Sequence, residues 1–238
     1  MIGIERPRAP MVSGLFQRIH RWERDLHNRL GRDISTPAAR RGAWWHYQFL
    51  DHGILRHLWT NHDRVAPGIY RSNQPDPRRL RRMAARGIRT VLNLRGATAH
   101  SAYLFERETC AALELTLVDL HLSARRAPPR AALLELIDHL ATLETPLLIH
   151  CKSGADRAGL ASAVVLLIRD ETDIAGARRM LSWRYLHLRS TATGVLDQLV
   201  EDYAARREEG EIGFRDWVAQ DYDPETTAAN FAARRGRA

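Results

Sequence analysis

The spacing of apolar positions changes character once along the chain. Up to about residue 65 no stretch alternates as a strand would. Instead two segments, Val12 to Leu30 and Gly42 to Thr60, set apolar and aromatic residues among Arg and His at helical spacing, which predicts two basic amphipathic helices. From about Pro67 short β-branched or apolar runs alternate with longer helical patterns, as in an α/β layered domain. The predicted strands are Gly68 to Arg71, Ile88 to Leu94, Leu115 to Leu122 and Pro146 to His150. Helices are predicted over Pro77 to Arg86, Ser101 to Leu113, Ala131 to Leu143, Ala158 to Arg169, Ile174 to Trp183 and Gly194 to Arg207. The expected division is a helical extension over 1–65, the α/β domain over 66–207 and a charged tail over 208–238. That tail has one short helix near Phe214 to Ala219 and a frayed end.

Composition narrows this picture. The 238 residues, 45% hydrophobic and 27% charged, suit one packed domain with extensions or two small domains, and exclude a collagenous or wholly disordered chain. Two cysteines, Cys110 and Cys151, cannot make a disulfide framework, and Cys110 reads as a small core residue. Arginines interrupt every apolar run at the N-terminus, unlike a secretory signal. The longest apolar run, Gly159 to Ile168, is half of the roughly 20 residues that span a bilayer. A cytoplasmic protein without a transmembrane helix is expected.

The net charge of +8 and a pI near 10.3 favour anionic partners. Lys152 is the single lysine among 36 basic residues, and it stands beside Cys151. The segment Ile149 to Gly159, IHCKSGADRAG, lies between a predicted buried strand and an apolar helix. That placement aims backbone N–H groups and the positive end of a helix dipole at one point, where an anion binds. Cys151 enters this field, in which a thiol's pKa falls from about 8.5 to roughly 3.5–7.5. Arg157 offers phosphate oxygens a planar two-pronged donor, and Gly154 lets the backbone turn sharply.

His150, Cys151, Lys152, Ser153, Gly154, Ala155, Asp156 and Arg157 match the HC-x5-R phosphate loop of the cysteine-dependent protein tyrosine and dual-specificity phosphatases. The chain resembles this superfamily over roughly Val65 to Arg207. GIYRSNQP followed by GIRTVLNLRG is similar to the start of the atypical dual-specificity phosphatases, bacterial members included. The resemblance implies a central, mostly parallel sheet of four to five strands flanked by helices, preceded by the helical extension. It implies a Cys151 thiolate that forms a phosphocysteine, later hydrolysed by water, with no metal and no cofactor. Residues 152–157, namely Lys152, Ser153, Gly154, Ala155, Asp156 and Arg157, would hold the phosphoryl oxygens.

The general acid departs from the family pattern. The loop where such families carry an aspartate reads SARRAPPR, Ser123 to Arg130, without a carboxylate. Asp119 has the separation but falls within a predicted strand. Asp156, placed as in the Asp-Arg ending of the myotubularin-type loop, is preferred; the competing role is a hydrogen bond to the loop or to neighbouring arginines. Ala158 stands where the family has Ser or Thr, and His150 is expected to order the loop.

Lys152 and the arginines of SARRAPPR favour a multiply charged headgroup, and the Cys-Lys-x-Gly opening resembles the phosphatase and tensin homologue group and the atypical phosphatases acting on inositol phosphates. The expected substrate is a phosphorylated lipid headgroup or an inositol phosphate, with a phosphotyrosine protein the remaining alternative. The aromatic segment AWWHYQFLDHGILRHLW either packs on the domain, which is preferred, or makes peripheral contact with the inner face of a membrane. Nucleic acid is not an expected partner, because the arginines are dispersed among acidic residues. The alternative to an enzyme is a phospholigand-binding module with little turnover.

Overall fold

The computed structural model describes residues 30–236, so all but the last residue of the expected Val12 to Leu30 helix lies outside the described residues. The described residues form two units, 30–53 with 99–104, and 54–98 with 105–236.

In the first unit helix α1, Pro37–Trp45, begins at Thr36, whose Oγ1 accepts from the Ala39 N–H at 3.1 Å, with proline at the first helical position. It continues into a π-helical turn, His46–Leu50, where His46 Nδ1 and Ser101 Oγ share a hydrogen bond of 2.7 Å. The rings of Trp45 and Phe49 stack at 4.9 Å and both are exposed. The continuous helix expected over Gly42 to Thr60 is therefore interrupted. His52 takes a left-handed φ of 59°, and a Cβ on Gly53 would sit 2.6 Å from the Tyr47 carbonyl, so the chain turns there into the short 3-10 helix Gly53–His57.

The second unit is built on strands β1 (Asp63–Ala66), β2 (Ile69–Asn73), β3 (Thr90–Asn93), β4 (Thr116–Asp119) and β5 (Leu147–Cys151), in the order β1-β2-β5-β3-β4. β2, β5, β3 and β4 are parallel, in agreement with the expected sheet, and β1 pairs antiparallel at the edge. β1 is a correction to the expectation that no strand precedes residue 65. Its sequence DRVA neither alternates nor forms an apolar run, and it exists by hairpin pairing to β2 across Gly68.

Helices α2 (Pro77–Ala85) and α3 (Ser101–Ala112) follow β2 and β3, and α4 (Arg130–Thr142) follows β4. After β5 come α5 (Asp156–Arg169), α6 (Ile174–Met180), α7 (Val195–Glu208), α8 (Phe214–Gln220) and α9 (Pro224–Gly236). Strand alternation sorts the core into two faces. Leu147, Ile149 and Cys151 of β5 and Leu92 of β3 pack with α4, α5 and α7, while Leu148 and Val91 turn to Leu80, Met83 and Cys110 of α2 and α3. Burial, with Glu106 and Asp119 nearby, pushes the Cys110 thiol up to about 12, in keeping with an inert core residue.

The segment after Glu208 is more than the charged tail expected. Phe214, Trp217, Tyr222 and Phe231 belong to the main core, and Tyr203 meets Phe214 edge-on at 5.0 Å. Its apolar residues are sparse among charges, so the sequence pattern conceals two helices that pack inward. No helix among the described residues is long and apolar enough to cross a membrane. Trp217→Ala should lower the unfolding free energy by about 3–5 kcal/mol in urea denaturation. A loss below about 0.5 kcal/mol, the range of ordinary surface changes, would remove α8 from the core.

Candidate active site

β5 is buried along its whole length and delivers Cys151, 1% exposed, to the C-terminal edge of the sheet, where α/β sheets bind their ligands. The chain then makes a four-residue loop and enters α5 at Asp156, with no side chain capping the helix start. Each loop carbonyl is taken by a donor from outside the loop. The Gln74 N–H donates to Lys152 O at 3.3 Å, and Asn61 Nδ2 donates to Ser153 O at 2.8 Å. Arg71 Nη2 donates to Gly154 O at 2.6 Å and to Ala155 O at 3.3 Å. Because a trans peptide sets its N–H opposite its C=O, the N–H groups of Ser153, Gly154, Ala155 and Asp156 face away from that scaffold, where the Ala155 N–H donates to the exposed Ser153 Oγ at 3.3 Å. The result is a nest of amides of the kind that binds anions.

Two residues make this geometry possible. Gly154 has φ +74°, and a Cβ there would lie 2.6 Å from the Asn73 backbone nitrogen. Arg71 is fully buried; its Nη1 donates to Met180 O at 2.8 Å, and its guanidinium lies 3.7 Å from the centre of the Tyr185 ring. Burial pushes its pKa down to about 10, against the opposing pull of Tyr185 and Cys151, which leaves it charged at neutral pH.

Arg157 is half-buried, and its Nη1 donates to Leu94 O at 3.4 Å. Its Nε is buried with no hydrogen-bond partner among the described residues, a donor left for a ligand. Asp156 Oδ1 lies 2.8 Å from His187 Nδ1, and His187 Nε2 lies 2.7 Å from Asp197 Oδ2. The partner of Asp156 is thus a histidine and not an arginine. Asp119 closes β4, two strands from β5, and accepts from Asn93 Nδ2 at 2.8 Å. Lys152 is half-buried and Ser153 is exposed, while Ala155 and Ala158 are buried. His150 is fully buried with Nε2 2.8 Å from Glu106 Oε1, and the other oxygen of Glu106 accepts from Gln74 Nε2 at 2.9 Å. Arg130 of the basic loop turns away to the Tyr222 carbonyl, at 2.6 Å.

The sequence singles out the loop but not the residues that hold it. Asn61, His187 and Asp197 stand in no motif, and Arg71 falls in GIYRSNQP, a segment that carries the resemblance but points to no role for the arginine. The available signal for Arg71 was an arginine inside a strand, where a charge requires partners. Among the described residues no group of three or more His, Cys, Asp or Glu is arranged to hold a metal ion.

A Cys at the end of a central parallel strand, an amide nest and an Arg six positions on define a cysteine-dependent phosphatase of the dual-specificity type. The family model described as PTP-NADK, "DSP-PTPase phosphatase fused to NAD+ Kinase", matches residues 58–190, more than half of the chain, and the chain belongs to that family. It is similar to TpbA of P. aeruginosa, with 19% identity over 73% of this chain and 91% of that one, at a TM-score of 0.47. It is similar to the core catalytic domain of the PP-IP phosphatase SIW14 from S. cerevisiae, with 18% identity over 66% of this chain and 98% of that one, at 0.47. The DUF442 protein of Shewanella putrefaciens shares 16% identity over 66% of this chain and 97% of its own, at 0.47. Comparison with proteins of curated function found no match.

Gly154→Ala should weaken orthovanadate binding by roughly 5- to 150-fold, because a left-handed non-glycine residue costs about 1–3 kcal/mol and the methyl meets backbone. Unchanged affinity in a titration would show that the loop does not need this turn.

Proposed function

We propose that the protein hydrolyses phosphomonoesters without a metal, through a phosphocysteine on Cys151. Arg157 and the N–H groups of residues 153–156 hold the equatorial oxygens of the transferring phosphoryl group, where the charge of the transition state spreads. Asp156 is the general acid: its Oδ1 is fixed by His187, which leaves its second oxygen for the leaving group. Asp119 is the less favoured candidate, because Asn93 holds it at the end of β4. The observation that carries this reading is the outward turn of the loop carbonyls beside an Arg157 Nε that has no partner.

The substrate we favour is a phosphorylated lipid headgroup or a soluble inositol phosphate, ahead of a phosphotyrosine protein. Trp183, Leu186 and Leu188 are exposed, Trp183 by 68%, and they alternate with the exposed Arg184 and Arg189 on the segment that carries His187. Trp183, Leu188 and Arg189 also line a cleft of about 460 Å³ that includes His187. Exposed aromatic and aliphatic side chains flanked by arginines suit an anionic bilayer surface, and a cytoplasmic protein in peripheral contact with the inner face of a membrane follows from that reading.

Purified protein should release phosphate from a phosphotyrosine peptide, an inositol phosphate or phosphatidylglycerophosphate in liposomes, and Cys151→Ser should abolish the release. The preferred member of the three identifies the substrate class. Binding of these ligands without Cys151-dependent release would replace the enzyme by a phospholigand-binding module.

A further inference from the structure

His187 lies in a stretch, SWRYLHLRS, that carries no motif, yet its side chain is fully buried and both ring nitrogens face carboxylates. Nδ1 is 2.8 Å from Asp156 Oδ1 at the start of α5, and Nε2 is 2.7 Å from Asp197 Oδ2 on α7. A neutral imidazole has one N–H, so one of these contacts would set a lone pair against a carboxylate oxygen. The protonated ring donates to both. The charges around it agree. Arg189 Nε lies 3.5 Å from Asp197 Oδ1, its Nη2 lies 3.7 Å from Glu201 Oε1, and Glu201 also holds Arg178 of α6 at 3.1 Å. Arg178 and Arg179 line the same cleft as His187. Two carboxylates thus share one imidazolium, and Arg189 offsets the charge left over.

We propose that the row Asp156–His187–Asp197 is a proton relay in which His187 stores the proton that Asp156 gives to the leaving group and recovers it from the attacking water. The proposal rests on Asp156 being the general acid, as above. In the first half-reaction the S–P bond to Cys151 forms and the P–O bond to the leaving group breaks. The leaving oxygen takes a proton from Asp156, which draws one from His187 Nδ1. The ring is then neutral and keeps its proton on Nε2, toward Asp197. In the second half-reaction a water oxygen bonds phosphorus and the S–P bond breaks, which returns the thiolate. The water's proton passes through Asp156 to His187. Ester and water have become alcohol and phosphate, and the relay is restored. His187 is a positioning residue in this scheme, since it reaches substrate only through Asp156.

Burial alone would push the His187 pKa down, but the hydrogen bonds and charges of Asp156 and Asp197 hold it up at about 9. The stored proton is therefore present at neutral pH and is lost as pH rises through that value.

The test compares phenyl phosphate, whose leaving group needs a proton, with p-nitrophenyl phosphate, whose leaving group needs little help, on the full chain. His187→Gln and Asp197→Asn should each lower kcat/KM, which reports the steps up to the phosphocysteine, by roughly 10²-fold on phenyl phosphate and little on p-nitrophenyl phosphate, while kcat falls on both wherever hydrolysis of the phosphocysteine limits turnover. The alkaline limb of the wild-type kcat profile, near pH 9, should move to lower pH in Asp197→Asn. Equal losses of kcat/KM on both substrates with an unmoved limb would make His187 a brace and overturn the relay. If either variant fails to fold, the nitrogen chemical shifts of the His187 ring in the intact protein decide: two protonated nitrogens at neutral pH support the relay and one overturns it. Wild-type protein without Cys151-dependent release would sink the proposed function, and the relay with it. Release that depends on Cys151 but shows uniform losses in the variants would sink the relay alone.

Discussion

The candidate site depends on where the peptide carbonyls of residues 152–155 point. Left to itself a loop leaving a buried strand would aim carbonyls and amides in mixed directions, and a mixed lining repels a phosphate. Here Gln74, Asn61 and Arg71 take the carbonyls from behind, and the amides face the other side, that of Ala155 toward the Ser153 hydroxyl. Arg71 contributes most. A guanidinium buried without partners would be expensive, but it donates to the carbonyls of Gly154, Ala155 and Met180 and stacks on Tyr185. Its two terminal nitrogens donate to backbone carbonyls while its Nε has no partner among the described residues, and as a cation it orders the loop and adds to the positive field around Cys151.

The same arrangement couples the loop to the rest of the unit. Arg71 belongs to β2, which pairs in register with β5, so strand pairing sets the distance between the guanidinium and the loop it holds. His150 and Glu106 make a second tie, fully buried, between β5 and α3, and Gln74 joins it from the end of β2. Met180 and Tyr185 bring in the chain after α5, and the same stretch carries His187 to Asp156. Core packing on both faces of the sheet fixes these elements, and the polar contacts at its C-terminal edge determine which way the loop faces.

How much of this could be read from sequence follows from how local each feature is. Strands β3 and β5 were legible because a strand buried on both faces is an apolar run, β4 because Leu115 to Leu122 alternates and β2 as a short run ahead of a turn. The loop was legible because strand, turn and helix are contiguous from Leu147 to Arg169. β1 was not, since DRVA becomes a strand only by pairing. Arg71 meets Gly154 across 83 residues and His187 meets Asp156 across 31, and no local pattern brings such pairs together. The partner of Asp156 illustrates this. Its position beside Arg157 was plain, but sequence offered arginines as its neighbours, whereas the fold supplies a histidine from another segment. The packed helices after Glu208 were hidden in the same way, because their apolar residues are too sparse to outweigh the charges around them.

The most direct test of the account is to acid-quench the enzyme during turnover and examine the peptide that carries Cys151 by mass spectrometry. One phosphoryl group on that cysteine, absent without substrate, is the predicted result. Phosphate release with Cys151 unmodified at every quench time would contradict a loop built to hold a phosphoryl group on the thiol.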